Sequence, residues 1–247
     1  MAKYFSIIIP TLNEEKNLPL LLESLAGQTF RDFEVIVCDG GSTDSTKEKA
    51  NSFSAILPAL NFHAYNVKNV SGARNKGAEM SNGTFCVFFD SDVKVENSFL
   101  EGIKKHLEKN QLDALTVWNR PDNKSFTNKI IFFLLNFSMT LFQKIKPVAN
   151  GPCIIINKML FDEIHGFDEQ IVFGEDFDLI QRAHKEKARF AVFSKPYLYV
   201  SGRRFEKEGI ISSLFKSLKA VAHQLILGPI RKPIFEYEMG GQYYKKN

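Results

Sequence analysis

Asp90 and Asp92 stand two apart at the end of an apolar run, "FCVFFDSD". On an extended chain, residues two apart point to one side. Carboxylates so placed repel unless a cation lies between them. A hard divalent ion with oxygen ligands, Mg2+ or Mn2+, suits the pair and commonly holds substrate phosphates as well. A turn or helix cap after a strand also favours Asp, so the pair alone decides nothing. Asp39 ends a second apolar run, with Gly40 and Gly41 behind it. Its carboxylate can accept a hydrogen bond from a nucleotide base or close an Asx turn. Arg74 and Lys76 fall early in "SGARNKG", where a helix N-terminus would help them face an anion. The alternative is a solvated basic face. Glu175, Asp176 and Asp178 follow Gly174 at the start of an amphipathic run. Acids in a first helical turn are expected from the helix dipole alone. One of them can also serve as a general base, which needs reach and a suitable pKa. Spacing does not choose between Glu175 and Asp176.

Positioning these groups requires strands that end at one rim. "YFSIIIP", "FEVIVCD", "NFHAYNV" and "TFCVFFD" read as short buried strands. Between them lie helical stretches: Leu18, Leu21, Leu22 and Leu25 share one face before Gly27, and "STKEKANSF" and "GARNKGAEMSNG" follow. Ser42, Thr43 and Asp44 read as caps for the second helix. Alternating strands and helices predict a parallel sheet with right-handed crossovers. Ligands of such sheets bind beyond the carboxyl ends of the strands. Residues 11–15, 39–44 and 90–92 all fall there. No early turn has the dinucleotide-binding glycine spacing, and no P-loop is present.

The length of 247 residues suits one sizeable α/β domain or two small ones. The formal net charge of +4 is too mild to point to nucleic acid, and no nucleic-acid partner is expected. Residues 203–247 hold nine Lys/Arg and four Glu, so the positive excess sits in the tail. Cys38, Cys86 and Cys153 read as buried free thiols. The N-terminus begins on a strand-like run with no signal pattern, and no apolar run reaches membrane-spanning length. The expectation is a cytoplasmic protein. Two amphipathic stretches leave a peripheral contact with the inner face of the membrane open. Lys129–Lys146 carries Lys129, Asn136, Thr140 and Gln143 on one stripe, with the rest mostly apolar. Ile210–Leu227 sets Ile211, Leu214, Phe215, Leu218, Val221 and Leu225 against Ser212, Lys216, Lys219 and His223. Each fits a membrane interface or a helix packed on the domain.

Taken in order, "SIIIPTLNEE", "VIVCDGGSTDST", "GARNKGAEMSNGTFCVFFDSD" and "GFDEQIVFGEDFDL" resemble the inverting glycosyltransferases of family 2, which have the GT-A fold. The resemblance covers residues 4–100 closely and 150–185 well. It implies a Rossmann-like, mostly parallel sheet flanked by helices, with a C-terminal amphipathic segment. The implied catalytic domain is 1–200, divided into a nucleotide-sugar half (1–115) and an acceptor and base half (116–200), with 201–247 as a basic extension. Carried over residue by residue, Pro10, Thr11, Asn13, Glu14 and Asp39 cradle base and ribose. Arg74 lies near the nucleotide. Asp90 and Asp92 bind the ribose and a divalent metal on the diphosphate, with Ser91 between them counted among the nucleotide-sugar contacts. Asp176 is the implied catalytic base, with Glu175 beside it. Arg203 or Arg204, in "SGRRFEKEG", would reach the diphosphate or an anionic acceptor. Gly40 stands where the family often has a second Asp, so UDP- and GDP-linked donors both stay open.

The implied activity is transfer of a sugar from a nucleotide-diphosphate sugar to an acceptor hydroxyl on a glycan or lipid-linked molecule. Two other classes compete. A nucleotidyltransferase would show a glycine- and lysine-rich phosphate loop after the first strand, where "PTLNEEKN" is acidic. A catalytically silent sugar-nucleotide-binding protein would not need Asp90, Asp92 and Asp176 together.

Overall fold

The computed structural model describes residues 2–65, 69–123, 125–149, 151–201 and 226–234, with 212, 215, 216, 219, 220, 223 and 224 between the last two ranges. Four strands carry the first half: β1 (Lys3–Thr11), β2 (Phe33–Asp39), β3 (Leu60–Ala64) and β4 (Gly83–Phe89). Helices α1 (Leu18–Ala26), α2 (Thr46–Asn51) and α3 (Val70–Glu79) connect them. The second half adds β5 (Val93–Val95), α4 (Phe99–Asn110), β6 (Ala114–Pro121), α5 (Phe126–Phe142), β7 (Cys153–Asn157), α6 (Lys158–Glu163), α7 (Glu175–Lys185) and β8 (Phe190–Val200).

All eight strands form one sheet in the order β3-β2-β1-β4-β7-β6-β8-β5. The first four strands are parallel, as expected. The second half is mixed, because β7 runs antiparallel to both β4 and β6, and β5 antiparallel to β8. The chain moves outward from β1 to β3, then returns to lay β4 on the other side of β1. That reversal is where ligands enter open α/β sheets. Pairing of β1 with β2 continues to Thr11 and Asp39, but pairing with β4 stops at Ile8 and Phe88. The two central strands therefore part at their carboxyl ends. Pro10 lies beyond the last β4 pair, so its missing N–H breaks no bond on that side.

Alternation divides the core. Phe5, Ile7 and Ile9 pack with Leu18, Leu21, Leu22 and Leu25 of α1 on one face. Ile8, Cys86 and Phe88 pack with Leu179 and Ile180 of α7 on the other. A Cβ at Gly77 of α3 would lie 2.4 Å from the Ile8 Cγ2, so glycine permits this close approach of helix to strand. The three cysteines are buried and free. Burial pushes the Cys38 thiol up to about 12 and the Cys86 thiol to about 11, which keeps both protonated.

Helix α5 is turned against its apolar composition. Asn136, Thr140 and Gln143 of the polar stripe face the protein, where Asn136 is 2% exposed, while Lys129 of the same stripe is exposed at the first turn. Pairing of β6 with β7 ends at Leu115, which leaves backbone beyond it to be satisfied. Asn136 does so: its Oδ1 accepts from the Asn119 N–H at 3.0 Å and its Nδ2 donates to the Asn119 carbonyl at 2.7 Å. Thr140 accepts from the Trp118 indole N–H, and Gln143 from the Val192 N–H. The outer face carries Leu134 at 58% and Leu141 at 59% exposure. No helix among the described residues is long and apolar enough to cross a membrane.

Candidate active site

Two groups of side chains meet at the carboxyl ends of β1, β2 and β4. The first stitches two loops together. Asp39 Oδ1 accepts from the hydroxyls of Thr11 and Ser42, and its Oδ2 from the N–H groups of Gly41 (3.1 Å) and Ser42 (2.8 Å). This is the Asx turn, and it occupies the carboxylate's acceptor positions. Asn13, at φ 55°, donates its N–H to Ser42 and accepts from the Thr43 N–H. Buried Glu14 donates its N–H to Thr46, and its carboxylate accepts from Asn17. Asp44 accepts from the Thr46 N–H, which completes the start of α2. Of the three expected caps, only Asp44 acts on the helix; Ser42 and Thr43 serve the loop clasp.

The second group is ionic. Arg74 is only 2% exposed, and the ring of Phe167 lies 5.2 Å from its guanidinium carbon. Its Nη2 donates to Asp90 Oδ1 and its Nη1 to Glu175 Oε1, both at 2.8 Å. One guanidinium thus joins the end of β4 to the start of α7, residues 101 apart in sequence. Its Nε–H has no partner among the described residues. Lys76 does not join it; it turns outward to Glu79. The helix sends one cation in and one out, so the expected pair facing an anion is corrected to Arg74 alone.

Asp176 sits beside this ion triad. Gly174, at φ 78°, turns the chain into α7 and sets Asp176 in its first turn. Asp176 Oδ1 accepts from the Phe177 N–H at 2.8 Å. Burial first, then the negative charge of Glu175 and to a lesser degree Asp90, push its carboxyl up to about 7; the Phe177 N–H and Arg74 pull the other way. A carboxylate titrating near neutrality can take a proton from a hydroxyl and remain ionised half the time. Asp178, the third acid of this turn, pairs with Arg182, which holds the carbonyls of Ile164 and Gly166. That role is structural.

Ser91 is buried. Asp92 follows it, and its carbonyl accepts from the Ser201 N–H at the end of β8. No group of three or more His, Cys, Asp or Glu is set to hold a metal among the described residues. The donor chemistry still fits Mg2+ or Mn2+. Such ions bind through one or two carboxylates and complete their octahedron with water and phosphate oxygens. Asp90 is about one-third exposed, and its Arg74 bond uses Oδ1 only.

Two contributors escaped the sequence reading. A Cβ on Gly151 would stand 3.5 Å from Asp176 Oδ2 and 3.9 Å from both Asp90 Oδ2 and Arg74 Nη2, so its lack of a side chain keeps the space over all three charges clear. Phe167 stacks on Arg74 and is held at both backbone groups by Asn75. The left-handed Gly166 before it was the available signal. Arg204 and Arg203 lie outside the described residues. So do Ile211, Leu214, Leu218, Val221 and Leu225 of the C-terminal amphipath. Its described residues touch the loop before α7. Gln224 donates to the carbonyls of Phe173 and Gly174, Ile230 bridges to Phe173, and Arg231 pairs with Asp168.

A profile of the family described as Glycosyl transferase family 2 matches residues 6–165. A PGL/p-HBAD biosynthesis glycosyltransferase of Mycobacterium bovis is 45% identical over 92 residues, which are 37% of this chain and 36% of that one. The poly(ribitol-phosphate) beta-N-acetylglucosaminyltransferase TarS of Staphylococcus aureus is 29% identical over 210 residues, 82% of this chain and 36% of that one. This chain therefore spans about a third of the length of these curated relatives. The S. aureus TarS 1–349 structure in complex with UDP-GlcNAc superposes with a TM-score of 0.64 at 25% identity, covering 80% of this chain and 58% of that one. The mannosyltransferase PcManGT from Pyrobaculum calidifontis, in complex with GDP-Man and Mn2+, gives 0.70 at 18% identity, covering 89% and 65%. The fold is the GT-A type α/β fold that the motif order implies.

Proposed function

The chain belongs to glycosyltransferase family 2, and from that premise we propose that it transfers a sugar, with inversion, from a UDP- or GDP-linked donor to an acceptor hydroxyl. The observation that carries the proposal is Asp176, a half-buried carboxyl poised near neutrality beside the Arg74–Asp90–Glu175 triad. The donor enters between β1 and β4. Pro10, Thr11, Asn13, Glu14 and Asp39 shape the base and ribose pocket through the clasped loops. Arg74 fixes the Asp90 carboxylate and holds Glu175 away from the acceptor's proton. Asp176 takes that proton, and the acceptor oxygen attacks the anomeric carbon from the face opposite the leaving diphosphate. Asp92 and Asp90 Oδ2 would hold Mg2+ or Mn2+, which when bound supplies positive charge against the diphosphate. Ser91, buried between these two aspartates, is assigned to the nucleotide sugar, and Arg204 to the diphosphate or an anionic acceptor. The TarS likeness favours UDP; the acceptor is a glycan or lipid-linked hydroxyl on the cytoplasmic side.

Calorimetry with UDP and GDP, each with Mn2+ and with EDTA, tests the site. We expect one nucleotide to bind, more tightly with Mn2+, and Asp176→Asn to keep that binding while transfer falls to background. An Asp176→Asn variant that transfers at the wild-type rate refutes the base assignment. No nucleotide binding under any condition removes the donor site.

A further inference from the structure

We infer that the outward face of α5 docks on an anionic lipid bilayer. Residues Ile130, Leu134, Phe137 and Leu141 follow one another at helical spacing on one stripe, and Phe133 stacks on Phe137 within it. All five are exposed. A monomer in water rarely shows a continuous apolar stripe of this length. The inversion is built in, because Asn136, Thr140 and Gln143 are committed to β6 and β8 and hold the helix with this face outward.

Charge selects the occupant. From Asn123 to Ala149 the chain has four lysines and no Asp or Glu. Lys129, in the first turn of α5, and Lys144, just past its last turn, are exposed. An apolar stripe flanked by lysines is what an interfacial helix presents to anionic headgroups. A two-fold contact with a second copy would bring the same lysines against each other. The chain's own residues 203–247 carry a net positive charge too, so they complement the face poorly. At 17 residues, α5 lies along the surface and does not span it.

Docking here bears on the site. The segment after α5 reaches α7, where Gln181 donates to the Pro147 carbonyl and the Lys146 ammonium lies 5.8 Å from the Phe177 ring centroid. Phe177 is the neighbour of Asp176. A lipid-linked acceptor would then meet the base without leaving the membrane. That consequence rests on the transferase reading; the docking does not.

The test is sedimentation of the 247-residue chain with phosphatidylcholine vesicles, with and without phosphatidylglycerol. We expect binding to the anionic vesicles. The triple variant Leu134→Ser/Phe137→Ser/Leu141→Ser should bind about 100-fold more weakly. The double variant Lys129→Glu/Lys144→Glu should lose at least about tenfold and the preference for phosphatidylglycerol. Both variants should keep the wild-type Tm and nucleotide binding, which separates this surface from the donor site. The inference is overturned by a wild-type chain that ignores both vesicles, or by a triple variant that binds undiminished. A wild-type dimer that the triple variant makes monomeric assigns the face to a second copy instead. A lowered Tm of the triple variant assigns it to the chain itself.

Discussion

Asp176→Asn should stabilise the protein most at pH 8, by roughly a third as much at pH 5, and hardly at all below about pH 3.5. The carboxyl of Asp176 is held up to about 7 in the fold, chiefly by burial and then by Glu175. In the unfolded chain it ionises near 3.9. Below that value both states carry the proton and nothing is lost. As the pH rises toward 7 the unfolded state gives up its proton first, so stability falls across that window. The fall is complete above the folded pKa. Three units correspond to about 4 kcal/mol, and relaxation of the site leaves about 2–4 kcal/mol. Asparagine carries no charge and keeps an Oδ1 to accept from the Phe177 N–H. The variant should therefore escape the loss. Its Tm relative to wild type should rise by about 3–10 °C between pH 5 and pH 8. The assay is thermal unfolding of both proteins across that range in nucleotide-free buffer, and other titrations cancel in the difference. Parallel Tm curves would refute the claim that burial and like charge hold this carboxyl near neutrality. The same substitution removes the proton acceptor, so stability gained at pH 8 should coincide with lost transfer.

Three further substitutions probe the positioning. Arg74→Met should cost about 3 kcal/mol, because Asp90 and Glu175 lose their shared cation, and it should move the acid limb of the transfer pH profile upward; denaturant unfolding and a pH–rate series check the two parts. Gly151→Ala adds a methyl at ordinary contact distance from Asp176, Asp90 and Arg74, so stability should stay within about 0.5 kcal/mol while transfer falls about 10- to 100-fold; unchanged activity would show that the space over the triad is not used. Asn136→Leu should cost about 2–4 kcal/mol despite adding apolar surface, because the Asn119 N–H and carbonyl are left unpaired; a stability at or above wild type would mean that α5 is not held by this amide.

The nucleotide half was legible because its signals are local. β1, β2 and β4 are buried on both faces, so they read as continuous apolar runs whose ends mark the rim. The Leu18–Leu25 stripe has a single period, and all four of its leucines are fully buried. The clasp between the first two loops was less visible. Asn13 and Asp39 read as ligand contacts, with an Asx turn as the alternative for Asp39; in the structure Asn13 binds the opposite loop, and Asp39 closes that Asx turn and accepts from Thr11. Those bonds depend on residues about 30 apart, Ser42 and Thr43, being brought beside Thr11 and Asn13 by parallel pairing. The Arg74 triad depends on separations of 16 and 101 residues, so no window of sequence contains it.

α5 shows a different limit. Periodicity reveals that a helix has two faces, and the larger apolar face is ordinarily the buried one. The sign reverses here because β7 leaves β6 after Leu115, and backbone beyond that point needs polar partners more than it needs cover. An unsatisfied backbone group loses about 1–3 kcal/mol, comparable to the gain from burying one Leu or Phe side chain. Asn136 answers two such groups on Asn119, Gln143 answers the Val192 N–H of β8 and Thr140 the Trp118 indole, which leaves the apolar residues to find another medium. The sheet's departure from parallel order in its second half thus determines which side of α5 meets the surroundings, and a substitution at Asn136 and one at Leu134 should have opposite signatures: the first lowers Tm, and the second lowers vesicle binding alone.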